Sequence, residues 1–479
     1  MSFRVFRYIL GAILLVEAAL LLLPLAVALI YRESPMAFLL TEALLLGIAV
    51  PCMVKRPRDI RIYARDGFIC VTVGWILISA FGALPFVLDG CIPNYIDALF
   101  ETVSGFTTTG ASILTEVESL PRGILFWRSL THWLGGMGVL VFMLAILPGT
   151  DGQTIHLLRA EVPGPTKGKL VPRIRRTALI LYGIYIALTV LEMIALLCTG
   201  MPLYDSVANA FATAGTGGFG LKNASIAGYN NPAAEWVIAV FMLLFGINFN
   251  IYYYLLIRHY RDVAANEELR LYLLLALGST AAIAINTMHM FSGVGECLRA
   301  VFFQVTSIIS TTGFATVNFD MWPAFSKTIL VLLTITGACA GSTTGGLKLS
   351  RVLLLIKSMV KEVKHVLRPR SVNVVRVDGE AVSIETLHGA SSYFSIYALL
   401  ILASTLLVSV DGFDMTTNFT ATLTCINNVG PGLSLVGPSG NFSAFSYFSK
   451  IILTLDMFLG RLEIMPVLIL LSPTAWRRH

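Results

Sequence analysis

Four short stretches decide how this chain folds: "TTTGAS" (107–112), "GTGGFG" (215–220), "STTGFA" (310–315) and "NVGPGL" (428–433). Each is small, uncharged and polar, and each holds a glycine directly after a Thr or a Val: Gly110, Gly217, Gly313 and Gly430. They recur roughly a hundred residues apart in an otherwise apolar chain. A motif repeated at such a period marks copies of one structural unit, none of which encloses anything alone.

The surroundings are those of a membrane protein. Of the 479 residues, 56% are hydrophobic and only 13% charged, and the mean hydropathy is +0.78. A soluble chain would carry about a quarter charged residues. Long apolar runs lie at 8–30, 36–53, 67–88, 127–147, 177–199, 234–257, 270–291, 326–356, 389–410 and 447–471. Most approach the ~20 residues that cross a bilayer, so ten spans are expected. The first run is too long for a signal-peptide core and lacks a small-residue cleavage site. The seven cysteines are scattered without paired spacing, which suggests neither a disulfide framework nor a metal site.

Lys and Arg set the orientation. With both termini inside, most basic residues fall on the inner side, including "KRPRDIRIYAR" (55–65), "RIRR" (173–176) and the segment from Arg351 to Arg376. Each of the four pentads then falls in an outer loop. Each follows a short, mostly apolar segment with an acid near its start: Asp97, Asp205, Glu296 and Asp414. Segments this short do not cross; they are expected to be re-entrant helices, and an acid suits a helix N-terminus. The last eight spans thus divide into four copies of span, short helix, pentad, span.

Non-helical backbone at membrane depth survives only where it is buried or lines water. Thr-Gly backbone offers carbonyl oxygens, and glycine permits the dihedrals that aim successive carbonyls one way. A ring of carbonyls can replace the hydration shell of a monovalent cation. No pentad holds a carboxylate, which favours a K⁺-like ion over Ca²⁺.

"SGFTTTGAS", "ATAGTGGFG", "SIISTTGFAT" and "CINNVGPGL" resemble the four filter segments of the Trk/Ktr/HKT superfamily of potassium transporters. The two extra N-terminal spans and the closing "GRLEI" make the likeness strongest to its bacterial TrkH/TrkG branch. The resemblance covers essentially the whole chain. It implies an all-α polytopic membrane protein in which four repeats of outer helix, pore helix and inner helix surround a central pore, preceded by two N-terminal helices. The divisions are 1–66 for that pair, then 67–176, 177–269, 270–388 and 389–479 for the repeats. It implies K⁺ as the transported ion, no organic cofactor on this chain, and no enzymatic activity. The implied setting is the inner membrane and its lipid, as a homodimer with a cytosolic TrkA-type nucleotide-binding subunit; nucleic acid has no part. Carried over by position, the pentads are 107–111, 215–219, 310–314 and 427–431. Ion-coordinating carbonyls are expected from Thr108, Thr109, Gly110, Gly215, Thr216, Gly217, Thr311, Thr312, Gly313, Asn428, Val429 and Gly430. The fourth pentad departs most from the pattern, which keeps a Na⁺-coupled or Na⁺-conducting relative as the alternative.

Two further stretches carry chemistry. "GACAGSTTGGLK" (337–348) interrupts the long run 326–356 with small polar residues that make a poor helix interior. The resemblance implies an intramembrane gating loop built from Gly337, Ala340, Gly341, Ser342, Thr343, Thr344, Gly345, Gly346 and Lys348. A phosphate loop is the competing reading, but Leu347 separates Gly346 from Lys348 and no strand precedes it. A plain helix kink is the bland one. "LDMFLGRLEIMPVLILL" (455–471) places Asp456, Arg461 and Glu463 in the last span, where unpaired charge is expensive. Either Arg461 pairs with an acid between helices, or, as the resemblance implies, it projects into the pore below the filter. His132 and Glu192 are read as satisfied helix-contact residues. An intramembrane enzyme would need a nucleophile–base pair or a metal cluster, and no such motif is present. The cytosolic stretches 148–176 and 351–388 are the expected docking sites for a partner.

Overall fold

The computed structural model describes residues 3–54, 64–136, 138, 174–370 and 373–471. Part of the expected fourth span (127–147), most of the basic runs at 55–65 and 148–176, and the last residues lie outside the described set.

Two N-terminal helices, Phe3–Ile30 and Met36–Met53, pack on each other, and the first also packs on repeat 1. Four outer helices follow in the repeats. They are Ala64–Gly82 continued by Leu84–Asp89, then Ile174–Cys198, Glu267–Thr287 and Ile384–Val408. These helices are apolar nearly all round, as lipid on one side and protein on the other require. In Ile384–Val408, Tyr397, Ile401 and Val408 are buried, while Leu399, Leu402 and Leu406 stay two-thirds exposed on the opposite, lipid-facing stripe. Among the described residues, six helices are long and apolar enough to cross a membrane, or seven if a bent pair counts as one.

The short helices form where the sequence placed them: Tyr95–Phe106, Leu203–Ala214, Val294–Ile309 and Met415–Ile426. Their starts are fixed locally. The Asn94 side chain accepts from the N–H of Ile96 and Asp97, and Asp414 accepts from that of Thr417. Hydrogen bonds, first that of the Thr417 hydroxyl, hold the Asp414 carboxyl below the usual carboxylate range. Asp97, in the first turn, pairs at 2.6 Å with Lys450 on the last inner helix, joining repeat 1 to repeat 4.

The inner helices of repeats 2 and 4 differ from the continuous spans expected, and that of repeat 3 is interrupted at the stretch the sequence marked. In repeat 1 the helix Arg122–Gly136 runs to the edge of the described residues. In repeat 2, Pro232–Phe245 and Phe249–Leu256 are bent by 90° at Gly246–Asn248. In repeat 3, Ala324–Thr336 and Leu349–Leu367 flank the loop 337–348. In repeat 4, Tyr447–Arg461 stops before Ile464–Leu471, and Glu463 between them takes φ 59°. Each break needs partners for the freed backbone groups. In repeat 2 the Gly246 carbonyl accepts from Cys339 N–H, Asn248 caps the next helix, and Phe249 N–H donates to Gly341 O. The all-α expectation has one small departure, an antiparallel hairpin of Arg376–Val377 with Glu380–Ala381 on the stretch between repeats 3 and 4.

Candidate functional site: a ring of four pentads

All four short helices end in the same way. The third residue of each pentad (Thr109, Gly217, Thr312, Val429) donates its N–H to the carbonyls of Ser104, Ala212, Ser307 and Thr424 at 2.8–2.9 Å. The second (Thr108, Thr216, Thr311, Asn428) donates to Gly105, Thr213, Ile308 and Cys425. This is the Schellman pattern. It places the second residue in the left-handed region, with φ of 57°, 55°, 55° and 53°. Glycine usually holds that position, and a β-branched residue there is strained. Three of the four are threonine. The turn swings the next carbonyls away from the helix axis, and the strain is repeated at equivalent places.

The fourth residue of each pentad closes a ring. A Cβ on Gly110 would overlap the carbonyl of Gly217; on Gly218, that of Thr312; on Gly313, that of Val429; on Gly430, that of Thr109. The contacts run from repeat 1 to 2, 2 to 3, 3 to 4, and back to 1. All four glycines have φ between 75° and 92°. The second repeat therefore departs from the sequence reading by one residue. Its structural equivalent of Gly110, Gly313 and Gly430 is Gly218. Gly217 sits at the position of Thr109, Thr312 and Val429, and Gly215 at the helix C-cap, level with Thr107. "GTGG" offers two adjacent glycines, and only the closure of the ring tells them apart. A cavity of about 160 Å³ opens above the ring, lined by Gly110, Gly218, Gly313 and Gly430 together with the chain that leaves each pentad.

Behind the ring lies a charged brace that sequence reasoning missed. Arg128 Nε is 2.7 Å from Glu101 Oε1, and both side chains are buried. Glu101 also accepts from the Ser112 hydroxyl and the Ile113 N–H, each at 2.9 Å. Arg128 donates to Gly220 O at 3.0 Å, and its guanidinium lies 3.6 Å from the centre of the Phe219 ring. One ion pair thus ties the chain leaving the first pentad to the chain leaving the second. A second acid, in the middle of a mostly apolar pore helix, was the available signal. His132 stacks on Phe219 at 4.1 Å, with Nδ1 2.7 Å from Gly105 O, and a Cβ on Gly217 would strike its ring. The reading of Glu192 as satisfied is corrected. It is fully buried, and neither carboxyl oxygen has a hydrogen bond of normal geometry; the neighbouring Thr213 hydroxyl donates instead to Asn209 O.

Below the ring sits the loop 337–348. Gly345 N–H donates to Thr311 Oγ1 at 2.8 Å, and a Cβ on Gly345 would meet the carbonyl of Asn427. Gly337, Gly341 and Gly346 take φ of 63°, 72° and 80°. Ser342 bridges Cys339 O and Thr344 Oγ1 within the loop, and Thr343 Oγ1 donates to Phe245 O at 3.3 Å. Ala340 N–H donates to Glu268. Lys348, itself at φ 72°, is buried and donates to the Thr344 carbonyl and hydroxyl. Among the described residues no strand precedes the segment, so the phosphate-loop reading falls. Arg461 reaches the same place. Its Nη1 donates to Thr343 O and its Nη2 to Gly136 O, both at 2.7 Å, and Nη2 also donates to Gly135 O. Glu463 pairs with Arg351 at 2.7 Å, and Asp456 accepts from the Ser404 hydroxyl at 2.7 Å. Arg461 thus links the loop to Gly135 and Gly136 of the first inner helix.

Among the described residues, no group of three or more His, Cys, Asp or Glu could hold a metal ion. What the ring presents is backbone oxygen.

Comparison with known proteins places this architecture. A sequence model of the TrkH family, described as cation transport protein, matches residues 42–477. The Trk system potassium uptake protein TrkH of Salmonella typhimurium is 36% identical, with both chains covered in full. The Trk system potassium uptake protein TrkG of Escherichia coli is 34% identical over 99% of each chain. The crystal structure of the potassium transporter TrkH from Vibrio parahaemolyticus superposes with a TM-score of 0.90, at 32% identity and full coverage of both chains. The fourfold ring, the two added N-terminal helices and these full-length likenesses agree: the chain belongs to the TrkH family of cation transport proteins.

Proposed function

We propose that this protein takes up K⁺ across the cytoplasmic membrane through the ring of pentads. The ion sheds water in the outer cavity and passes carbonyls of Thr108, Thr109 and Gly110, Thr216, Gly217 and Gly218, Thr311, Thr312 and Gly313, and Asn428, Val429 and Gly430. The observation that carries this reading is the closed cycle of glycine-on-carbonyl contacts, because it sets four equal backbone segments about one axis. Oxygen rings of that kind substitute for a hydration shell.

The segment 337–348 acts as the gate, since it lies against the inner side of the ring and its glycines permit more than one arrangement. Arg461 sets the electrostatics of the path beneath. The partition into 1–66, 67–176, 177–269, 270–388 and 389–479 follows from this reading, as does an orientation with both termini cytoplasmic. The protein works as a homodimer under a cytosolic nucleotide-binding subunit of the TrkA kind. The relatives' names as parts of a Trk system support such a partner.

The test is flux of K⁺ and of Na⁺ into liposomes holding the purified protein, for the wild type and for Gly313→Ser. K⁺ preferred in the wild type, and reduced preference in a folded variant, is the expected result. Equal flux of both ions in the wild type would favour the Na⁺-conducting alternative, which the Asn-Val-Gly-Pro of the fourth pentad keeps open.

A further inference from the structure

We propose that Glu268 is the latch of the intramembrane loop, and that the cytosolic hairpin at 376–381 sets whether the latch is engaged. The inference rests on the reading of 337–348 as a gate.

A single carboxylate oxygen makes the latch. Glu268 Oε1 accepts from Ala340 N–H at 2.7 Å and from Ser350 N–H at 3.0 Å. Those two amides lie on opposite arms of the loop: one early in it, one in the first turn of the helix that leaves it. Between them, Leu349 N–H donates to Ala338 O at 3.0 Å, so the arms meet at a neck. Glu268 is buried, and without it two amides at this neck would lack their acceptor. A buried donor left unmet costs more than the bond's net worth.

The residue before it faces the cytosolic side and is held by the hairpin. Glu267 N–H donates to Asp378 Oδ1 at 2.8 Å, and the Asn266 amide donates to Asp378 Oδ2 at 3.4 Å. The Glu267 carboxylate pairs with Lys357, on the helix that leaves the loop, and Lys357 also donates to Arg376 O at 2.7 Å. Asp378 lies in the hairpin turn at φ 53°, followed by Gly379 at φ 80°. The hairpin's apolar side chains Val375, Val377 and Val382 seat against Leu354, Leu387 and Ala390. A single peptide link therefore separates the contact that the hairpin holds from the contact that closes the loop. Lifting the hairpin frees the first turn of the helix Glu267–Thr287, and the latch with it. This is a contiguous hydrogen-bonded path ending on an element with glycine hinges, which is what coupling across a short distance requires.

The experiment is basal K⁺ flux in liposomes for the full-length protein and five variants: Glu268→Ala, Glu268→Gln, Asp378→Ala, deletion of Gly341 to Gly345, and that deletion combined with Glu268→Ala. Glu268→Ala is expected to raise basal flux about tenfold, the scale of a buried donor left without its acceptor. Glu268→Gln keeps a carbonyl oxygen for both amides, so it should lie between Ala and wild type. Asp378→Ala should move flux in the same direction by less. Adding Glu268→Ala to the deletion should change nothing further, and K⁺/Na⁺ preference should hold in the point variants. A folded Glu268→Ala protein at wild-type flux, beside a deletion that raises flux, overturns the latch and leaves the gate standing. A folded deletion protein at wild-type flux removes the gate reading and the latch together. Asp378→Ala at wild-type flux with Glu268→Ala raised overturns the hairpin's part. Should Glu268→Ala fail to fold, wild-type flux in both Glu268→Gln and Asp378→Ala overturns the proposal.

Discussion

The four pentads share one backbone conformation, whereas the inner helices of repeats 2, 3 and 4 beneath them break in three different ways. In the ring, each glycine rests on the carbonyl of the next repeat, so a change in one segment is passed to its neighbour. Below the ring the described residues form no such cycle. One inner helix bends by 90°, one gives way to a loop, and one stops short at Arg461. Each break is served by its own partner: Gly341 and Cys339 for the second, Glu268 for the third, and Glu463 with Arg351 just past the fourth. Symmetry is enforced where four segments share one small space, and it is released where each answers to a separate contact. In the third repeat that freedom takes the form of the loop 337–348.

The largest effect that could break this comparison lies in the second pentad. Gly218→Ala puts a Cβ on a backbone carbonyl at φ 75°, and no neighbouring side chain can be trimmed to admit it. Strained dihedrals alone cost ~1–3 kcal/mol, and the overlap adds to that, so K⁺-selective flux should be lost. Gly217→Ala meets only the His132 ring among its nearest atoms, and His132→Ala should restore part of its flux. If His132→Ala rescues Gly218→Ala instead, Gly218 does not close the ring and the second pentad is in the register of the sequence reading.

Next in size is the brace behind the ring. Removing one member of a buried ion pair costs about 3–5 kcal/mol. Arg128→Ala should lower thermal stability on that scale, as read by unfolding in detergent, and loosen the chain leaving both of the first two pentads. A loss below ~1 kcal/mol, the range of a surface pair, would mean that Glu101 is not held charged by Arg128.

Arg461 probes the unequal lower half. Arg461→Ala removes both a fixed positive charge and the bonds from the loop to Gly136, so basal K⁺ flux should rise several-fold. Arg461→Lys keeps the charge but lacks the planar fork that reaches several carbonyls, and should fall between the two. Lys indistinguishable from wild type would assign the whole effect to charge. Lys indistinguishable from Ala would assign it to the tether.

The smallest effect tests the ring's one exception. Asn428 suits the left-handed region better than Thr does, and its amide donates to Thr109 Oγ1 and Met457 O, each at 3.0 Å. Asn428→Thr would make the fourth pentad more like the others in sequence, yet should cost ~1–2 kcal/mol through the lost bonds. Increased stability would show that the asparagine is retained for the ion path and not for the fold.

Much of this was legible in the chain alone. Apolar runs, short capped helices and glycine-bearing pentads are local signals, because a helix start or a tight turn is satisfied by residues a few positions away. Asp414 and the four helix ends sit within a residue or two of the sequence reading. Only the tertiary structure decided which glycine of "GTGG" closes the ring, that the second and fourth inner helices break, and which groups Arg461, Glu101 and Glu268 bond. Those outcomes depend on partners far apart along the chain: Thr312 for Gly218, Gly341 for Phe249, Ala340 and Ser350 for Glu268. Inside a membrane a broken helix survives only if some distant group takes up its freed amides and carbonyls, and local sequence carries no mark of which group that will be.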